Sequence, residues 1–150
     1  MIPAEFDYVA PDTLDEALRA LAQGGEDAKL LAGGHSLLPL MKLRLAAPTL
    51  LVDLGGVPGL SGIERANGGW RIGAMATHAA LERQSDLGLA SKVASTIADP
   101  QVRNRGTLGG SLAHGDPASD QPAILLAYEG SVTVRGSGGE RTIAATAVVR

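Results

Sequence analysis

Cysteine is absent from the 150 residues. No disulfide, thiolate metal ligand, iron–sulfur ligand or cysteine nucleophile can come from this chain. Aromatic residues are scarce, with one phenylalanine, one tryptophan and two tyrosines. A core must therefore be built from Leu, Val, Ile and Ala. A strong charge imbalance is also missing: 13 basic residues stand against 16 acidic ones, for a net of −3. With no basic run, no nucleic-acid partner is expected. The most apolar stretch, residues 30–54, is broken by Gly33-Gly34-His35, Lys42, Arg44 and Asp53. It cannot cross a bilayer as one apolar helix of about 20 residues, so no membrane insertion is expected. Met1 to Asp7 has neither the basic start nor the apolar stretch of a signal peptide. These features predict a soluble, cytoplasmic protein.

What is plentiful is glycine, 20 of 150 residues, well above the usual share of about 7%. Glycine serves where backbone turns sharply or where another group must come close. The apolar share, 45%, is that of an ordinary globular chain.

Pro11-Asp12-Thr13-Leu14-Asp15-Glu16 has the form of a helix start, with Thr13 as cap and Glu16 three residues on. Leu14, Ala17, Leu18 and Leu21 then share one face, and Gly24-Gly25 ends the helix. A strand is predicted over 28–32, a turn over 33–36, a short helix over 37–45 and a buried strand over 49–54. This order suggests a small parallel α/β unit. Gly55-Gly56-Val57-Pro58-Gly59 is the best internal boundary. Beyond it, Asn67-Gly68-Gly69 and Gly136-Ser137-Gly138-Gly139 are hairpin signals, flanked by apolar alternation. Helices are predicted over 77–84, 87–98 and 122–128, and residues 99–120 read as mostly irregular. The expected class is α+β: a small parallel unit over 1–55, then a mainly antiparallel sheet with helices over 56–150.

Two glycine loops carry the chemistry. The first, Leu30-Leu31-Ala32-Gly33-Gly34-His35-Ser36-Leu37-Leu38-Pro39, joins a strand to a helix. Successive amides there can form an anion nest at the positive end of the helix. The pattern is neither G-x-G-x-x-G nor a Walker loop, and a tight turn without ligand fits it equally. The second is Arg103-Asn104-Arg105-Gly106-Thr107-Leu108-Gly109-Gly110-Ser111-Leu112-Ala113-His114-Gly115-Asp116-Pro117-Ala118-Ser119-Asp120. Thr107 and Ser111 can serve a phosphate, and Asp120 can accept from ribose hydroxyls. The plainer role of Asp116 and Asp120 is helix capping. Two such loops suggest a ligand with two phosphates. His35 reads as a positioning residue and His78 as a surface residue at a helix start. The three histidines have no carboxylates at ligand spacing, so no metal site is expected.

Together these loops closely resemble those of the FAD-binding medium subunit of molybdenum hydroxylases, the carbon monoxide dehydrogenase and xanthine dehydrogenase types. The likeness runs from Phe6 to about Ile143. It implies a fold like that of vanillyl-alcohol oxidase, with FAD extended between two subdomains. Carried over by position, Leu31, Ala32, Gly33, Gly34, His35, Ser36 and Leu37 would wrap the pyrophosphate. Thr107, Leu108, Gly109, Gly110 and Ser111 would hold it from the other side. Ile97, Ala98, Ala113, His114, Ser119 and Asp120 match further cofactor contacts, and no residue is implied as an acid or base catalyst. Arg103 and Arg105 read as structural or solvent-facing. The implied partners are a molybdenum-cofactor large subunit and a 2Fe–2S small subunit. Electrons would pass through the clusters to FAD and on to NAD, a quinone or another acceptor.

Family members run about twice this length. Ala144 to Arg150 stands where their second subdomain continues, so that subdomain is expected to be incomplete. The chain reads as a truncated relative, a fragment or half of a split subunit. Two functions follow: a flavin-binding electron-transfer subunit, or a non-enzymatic remnant that does not hold FAD alone.

Overall fold

A computed structural model describes residues 2–148. Met1, Val149 and Arg150, which belong to the end segments read above, lie outside the described residues.

The first part is built on a three-stranded parallel sheet of β1 (Asp7–Val9), β3 (Leu50–Asp53) and β2 (Ala28–Leu31), in that spatial order. The central strand β3 buries Leu51 and Val52. Tyr8 and Lys29 stand opposite Leu51 on either side. The sequence reading missed β1, whose three residues are all exposed and show no alternation. The Tyr8 hydroxyl donates to Asp53 across the β1–β3 pair, and that bond raises the phenol pKa.

Helix α1 (Leu14–Gly24) starts as its cap predicts. The Glu16 amide donates to Thr13 Oγ1 at 3.2 Å. The Glu16 carboxylate closes the box one residue early, accepting from the Asp12 amide at 3.2 Å. Helix α2 (Leu37–Lys42) follows the first glycine loop and buries Met41. It stops three residues short of the expected Leu45, because Arg44 takes a left-handed φ of 58°.

In the second part, β4 (Ile63–Ala66) and β5 (Gly69–Ile72) form a hairpin. Its loop residues Asn67 and Gly68 both have positive φ, as a two-residue primed turn requires. Arg65 lies 4.5 Å over the Trp70 ring on the neighbouring strand. Ile63, Trp70 and Ile72 pack on a core of Leu81, Leu87 and Ala94. Leu81 comes from α3 (His78–Arg83) and Ala94 from α4 (Leu89–Thr96).

Residues 99–120 are not irregular. They hold α5 (Pro100–Arg105), α6 (Leu108–His114) and the first residue of α7 (Asp120–Ala127). Asp99 caps α5 ahead of Pro100, and Thr107 caps α6. The expected antiparallel pairing takes the form of two separate hairpins. The second joins β6 (Ser131–Gly136) to β7 (Gly139–Ala144) and runs into α8 (Ala145–Val148). The Tyr128 hydroxyl donates to the Leu87 carbonyl at 2.7 Å and accepts from the Leu89 amide at 3.0 Å. It thereby ties the end of α7 to the start of α4. Among the described residues, no helix is long and apolar enough to cross a membrane.

Candidate functional site

The two glycine loops touch. Gly33 is buried, and a Cβ placed on it would stand 2.1 Å from the Arg105 carbonyl oxygen and 2.9 Å from Gly106 Cα. No other residue type fits there without separating the loops. A Cβ on Gly110 would lie 3.5 Å from Ala32 Cβ, so the start of α6 also reaches the first loop. The α5–α6 junction thus packs directly onto the strand-to-helix turn that follows β2.

The first loop presents free donors. Among the described residues, none of the backbone N–H groups from Gly33 to Leu37 has a protein acceptor. Gly34 has a φ of +78°, the conformation that lets consecutive amides turn toward one side. Ser36 occupies the N-cap position of α2 yet makes no side-chain cap bond, and among the described residues its hydroxyl has no partner. His35 is exposed, and its Nδ1 lies 3.0 Å from the Gly33 carbonyl, within its own loop. Leu31 is the last residue of β2 and Leu37 the first of α2, which fixes both ends of the turn.

The second loop is built differently. The Leu108 amide donates to Ala76 O at 2.9 Å, and the Gly109 amide to Ala74 O at 2.8 Å. The Gly110 amide donates to Thr107 Oγ1 at 3.2 Å. The first amides of α6 are therefore already paired, and Thr107, itself buried, serves as the helix cap. Gly109 is required by packing: its Cβ would stand 2.5 Å from Ala74 Cβ. This loop offers close backbone approach and the Ser111 hydroxyl rather than a fan of free amides.

The remaining predicted residues flank the loops. Ile97 and Ala98 form the turn after α4, and Ala98 takes a left-handed φ of 43°. Arg103 holds this turn. Its Nη1 donates to the Ile97 and Ala98 carbonyls at 3.0 and 3.2 Å, while its Nε pairs with Glu82 at 2.9 Å. Arg103 is thus structural, as expected. Ala113 and His114 lie exposed in the last turn of α6. Asp116 accepts from the Ala118 amide in a local turn, and Ser119, not Asp120, caps α7. Asp120 is exposed at the first helical position.

His78 corrects the sequence reading. It is buried, not on the surface. Its Nε2 lies 3.2 Å from Ser111 Oγ, and burial lowers its pKa. Thr77 pairs with Thr107 as an isolated antiparallel bridge, and this long-range contact draws His78 inward. No local pattern around position 78 announces it. Among the described residues no group of His, Asp and Glu could hold a metal ion.

A row of free amides at one loop, with close backbone and a hydroxyl at the other, suits an elongated anionic ligand. Comparison with known proteins agrees with this chemistry. Residues 4–150 match the family described as the FAD binding domain in molybdopterin dehydrogenase. The carbon monoxide dehydrogenase medium chain of Hydrogenophaga pseudoflava is 49% identical over 149 residues, which cover 97% of this chain and 52% of the relative. The 6-hydroxypseudooxynicotine dehydrogenase complex subunit alpha of Paenarthrobacter nicotinovorans is 48% identical over 147 residues, 95% of this chain and 50% of the relative. A solved carbon monoxide dehydrogenase from Hydrogenophaga pseudoflava superposes with a TM-score of 0.94 at 48% identity, over 97% of this chain and 52% of that one. A quinoline 2-oxidoreductase from Pseudomonas putida 86 does so with a TM-score of 0.92 at 39% identity, over 97% and 52%. The chain spans about half the length of the curated relatives it matches. These relatives are subunits of oxidoreductases, and FAD is the family's cofactor. With the loops, the fold and the sequence in agreement, this chain belongs to the family of FAD-binding domains of molybdopterin dehydrogenases.

Proposed function

We propose that this chain supplies the pyrophosphate-binding part of the flavin site in a molybdenum hydroxylase complex. The observation that carries this reading is the contact of the two glycine loops at Gly33 and Arg105. It brings the free amides of Gly33, Gly34, His35, Ser36 and Leu37 beside the start of α6. In this reading Leu31 and Ala32 lead the backbone into the pyrophosphate cradle. Thr107 holds α6 in place so that Leu108, Gly109 and Gly110 approach from the other side, and Ser111 donates its hydroxyl. Ile97 and Ala98 line the cofactor through the turn that Arg103 fixes. Ala113, His114, Ser119 and Asp120 complete the contacts, with Asp120 accepting from a cofactor hydroxyl. The division into 1–55 and 56–150 places one loop in each part.

Bound FAD supplies the exchange between one-electron and two-electron partners. The chain's own work is to bind it, orient it and place its charge against aligned amides. The names of the relatives, a medium chain and a complex subunit, support a multi-subunit assembly. The proposed partners are a molybdenum large subunit and a 2Fe–2S small subunit, with NAD, a quinone or another acceptor receiving the electrons. A cytoplasmic place for the complex is part of the same reading. The complete set of loop residues supports flavin binding over the alternative of a remnant without cofactor.

The test is a visible spectrum of the purified chain after incubation with FAD and desalting. A retained flavin spectrum at one flavin per chain is expected. A folded chain that retains none, with no change in its own signals on adding FAD, would overturn the reading in favour of a remnant that does not hold FAD alone.

A further inference from the structure

His78 is buried at 3% exposure, yet among the described residues its Nδ1 has no hydrogen-bond partner. Its other ring nitrogen, Nε2, faces Ser111 Oγ at 3.2 Å. The ring edge lies against the α5–α6 junction, where a Cβ on Gly106 would meet Cδ2 at 2.8 Å. The backbone binds there too, the His78 amide donating to the Gly106 carbonyl at 3.0 Å. The imidazole is therefore wedged beneath the second glycine loop, with one polar contact among the described residues.

A neutral imidazole has one donor nitrogen and one acceptor nitrogen. With hydrogen on Nδ1, an N–H would be buried with no acceptor, which native structures rarely tolerate. With hydrogen on Nε2, that N–H donates to Ser111 Oγ and only the Nδ1 lone pair is left unpaired. A protonated ring would bury the orphan N–H again, which agrees with the lowered pKa. Once Ser111 Oγ accepts from His78, its own hydrogen is free to point elsewhere. Among the described residues Ser111 Oγ has no other hydrogen-bond partner, and Ser111 is only half-buried.

We infer that His78 is a positioning residue of the flavin site: its Nε2–H donates to Ser111 Oγ and so commits the serine hydrogen to an anionic oxygen of the bound cofactor. This rests on the function proposed above. The serine becomes a one-way donor, suited to a phosphate, instead of a hydroxyl that can be satisfied by the histidine.

Two measurements test it. Long-range proton–nitrogen NMR of the full chain reads the His78 tautomer directly, and hydrogen on Nε2 is expected. FAD titrations then compare His78→Leu, His78→Gln, Ser111→Ala and the double variant His78→Leu/Ser111→Ala, each checked for folding by circular dichroism. Ser111→Ala is expected to weaken FAD binding by about tenfold to a hundredfold, the scale of a hydrogen bond to a charged group. His78→Leu should fall in the same direction, and the double variant should bind as Ser111→Ala does. His78→Gln keeps an amide donor near Nε2 and should restore binding to within about threefold of the parent. Should His78→Leu not fold, the tautomer, Ser111→Ala and His78→Gln decide. Hydrogen on Nδ1, or parent-like affinity in Ser111→Ala, would overturn the inference while leaving the flavin site standing. A parent chain that binds no FAD would overturn both.

Discussion

At the scale of single residues, His78 and Gly33 make opposite demands. Burial lowers the His78 pKa, so the unfolded chain takes up a proton near pH 6.5 while the folded chain still resists it. The unfolded state then binds more protons, and stability rises with pH through that window. The neutral-histidine contribution is complete above about pH 6.5. It is lost as pH falls toward the folded value and levels off below it. Urea unfolding at stepped pH should show this acid limb in the parent and a flatter one in His78→Gln, which cannot titrate. An identical limb in both would place the effect elsewhere. Gly33 tolerates no side chain, since the blocking atom is a backbone oxygen at 2.1 Å. Gly33→Ala should cost roughly 2 kcal/mol or more in unfolding free energy. It should also abolish flavin retention by parting the loops. Parent-like stability in that variant would show that the loops can separate without consequence.

At the scale of elements, α6 depends on its cap. Thr107 Oγ1 accepts from the Gly110 amide, and two glycines early in the helix lower its intrinsic stability. Thr107→Ala should cost about 1 kcal/mol in denaturant unfolding. Thr107→Ser should recover most of it, and equal losses in both would point to the lost methyl instead. The same helix shows where the sequence was legible and where it was not. Helix α1 could be read because Thr13, Glu16 and the Leu14-to-Leu21 face all agree. The β4–β5 hairpin could be read from Asn67-Gly68. In α6, Gly109 and Gly110 weigh against a helix locally, while the reasons for one are distant: Ala74 occupies the space of a Cβ, and Ala74 and Ala76 accept the first amides. Strand β1 is three exposed residues held by β3, with no pattern of its own. The burial of His78 follows from the Thr77–Thr107 bridge, which joins residues far apart in sequence. The candidate site was legible as two motifs. That one offers amides and the other has used them is visible only in three dimensions.

At the scale of the whole molecule, the two parts meet where the glycine loops touch, and also through the Arg135–Asp15 ion pair. The first part carries a loop of free amides between β2 and α2, and the second part carries the α5–α6 junction. Gly33 locks one against the other. On the function proposed above, the flavin site belongs to neither part alone, because the two loops that would form it are some 70 residues apart in sequence. On this reading the two loops bind as one site, and titrating the isotope-labelled chain with FAD while following its backbone amides by NMR decides whether they do. The amides of Gly33 to Leu37 and of Thr107 to Ser111 are expected to shift together, with one saturation curve at one FAD per chain. Shifts confined to one loop, or two curves with different midpoints, would contradict it.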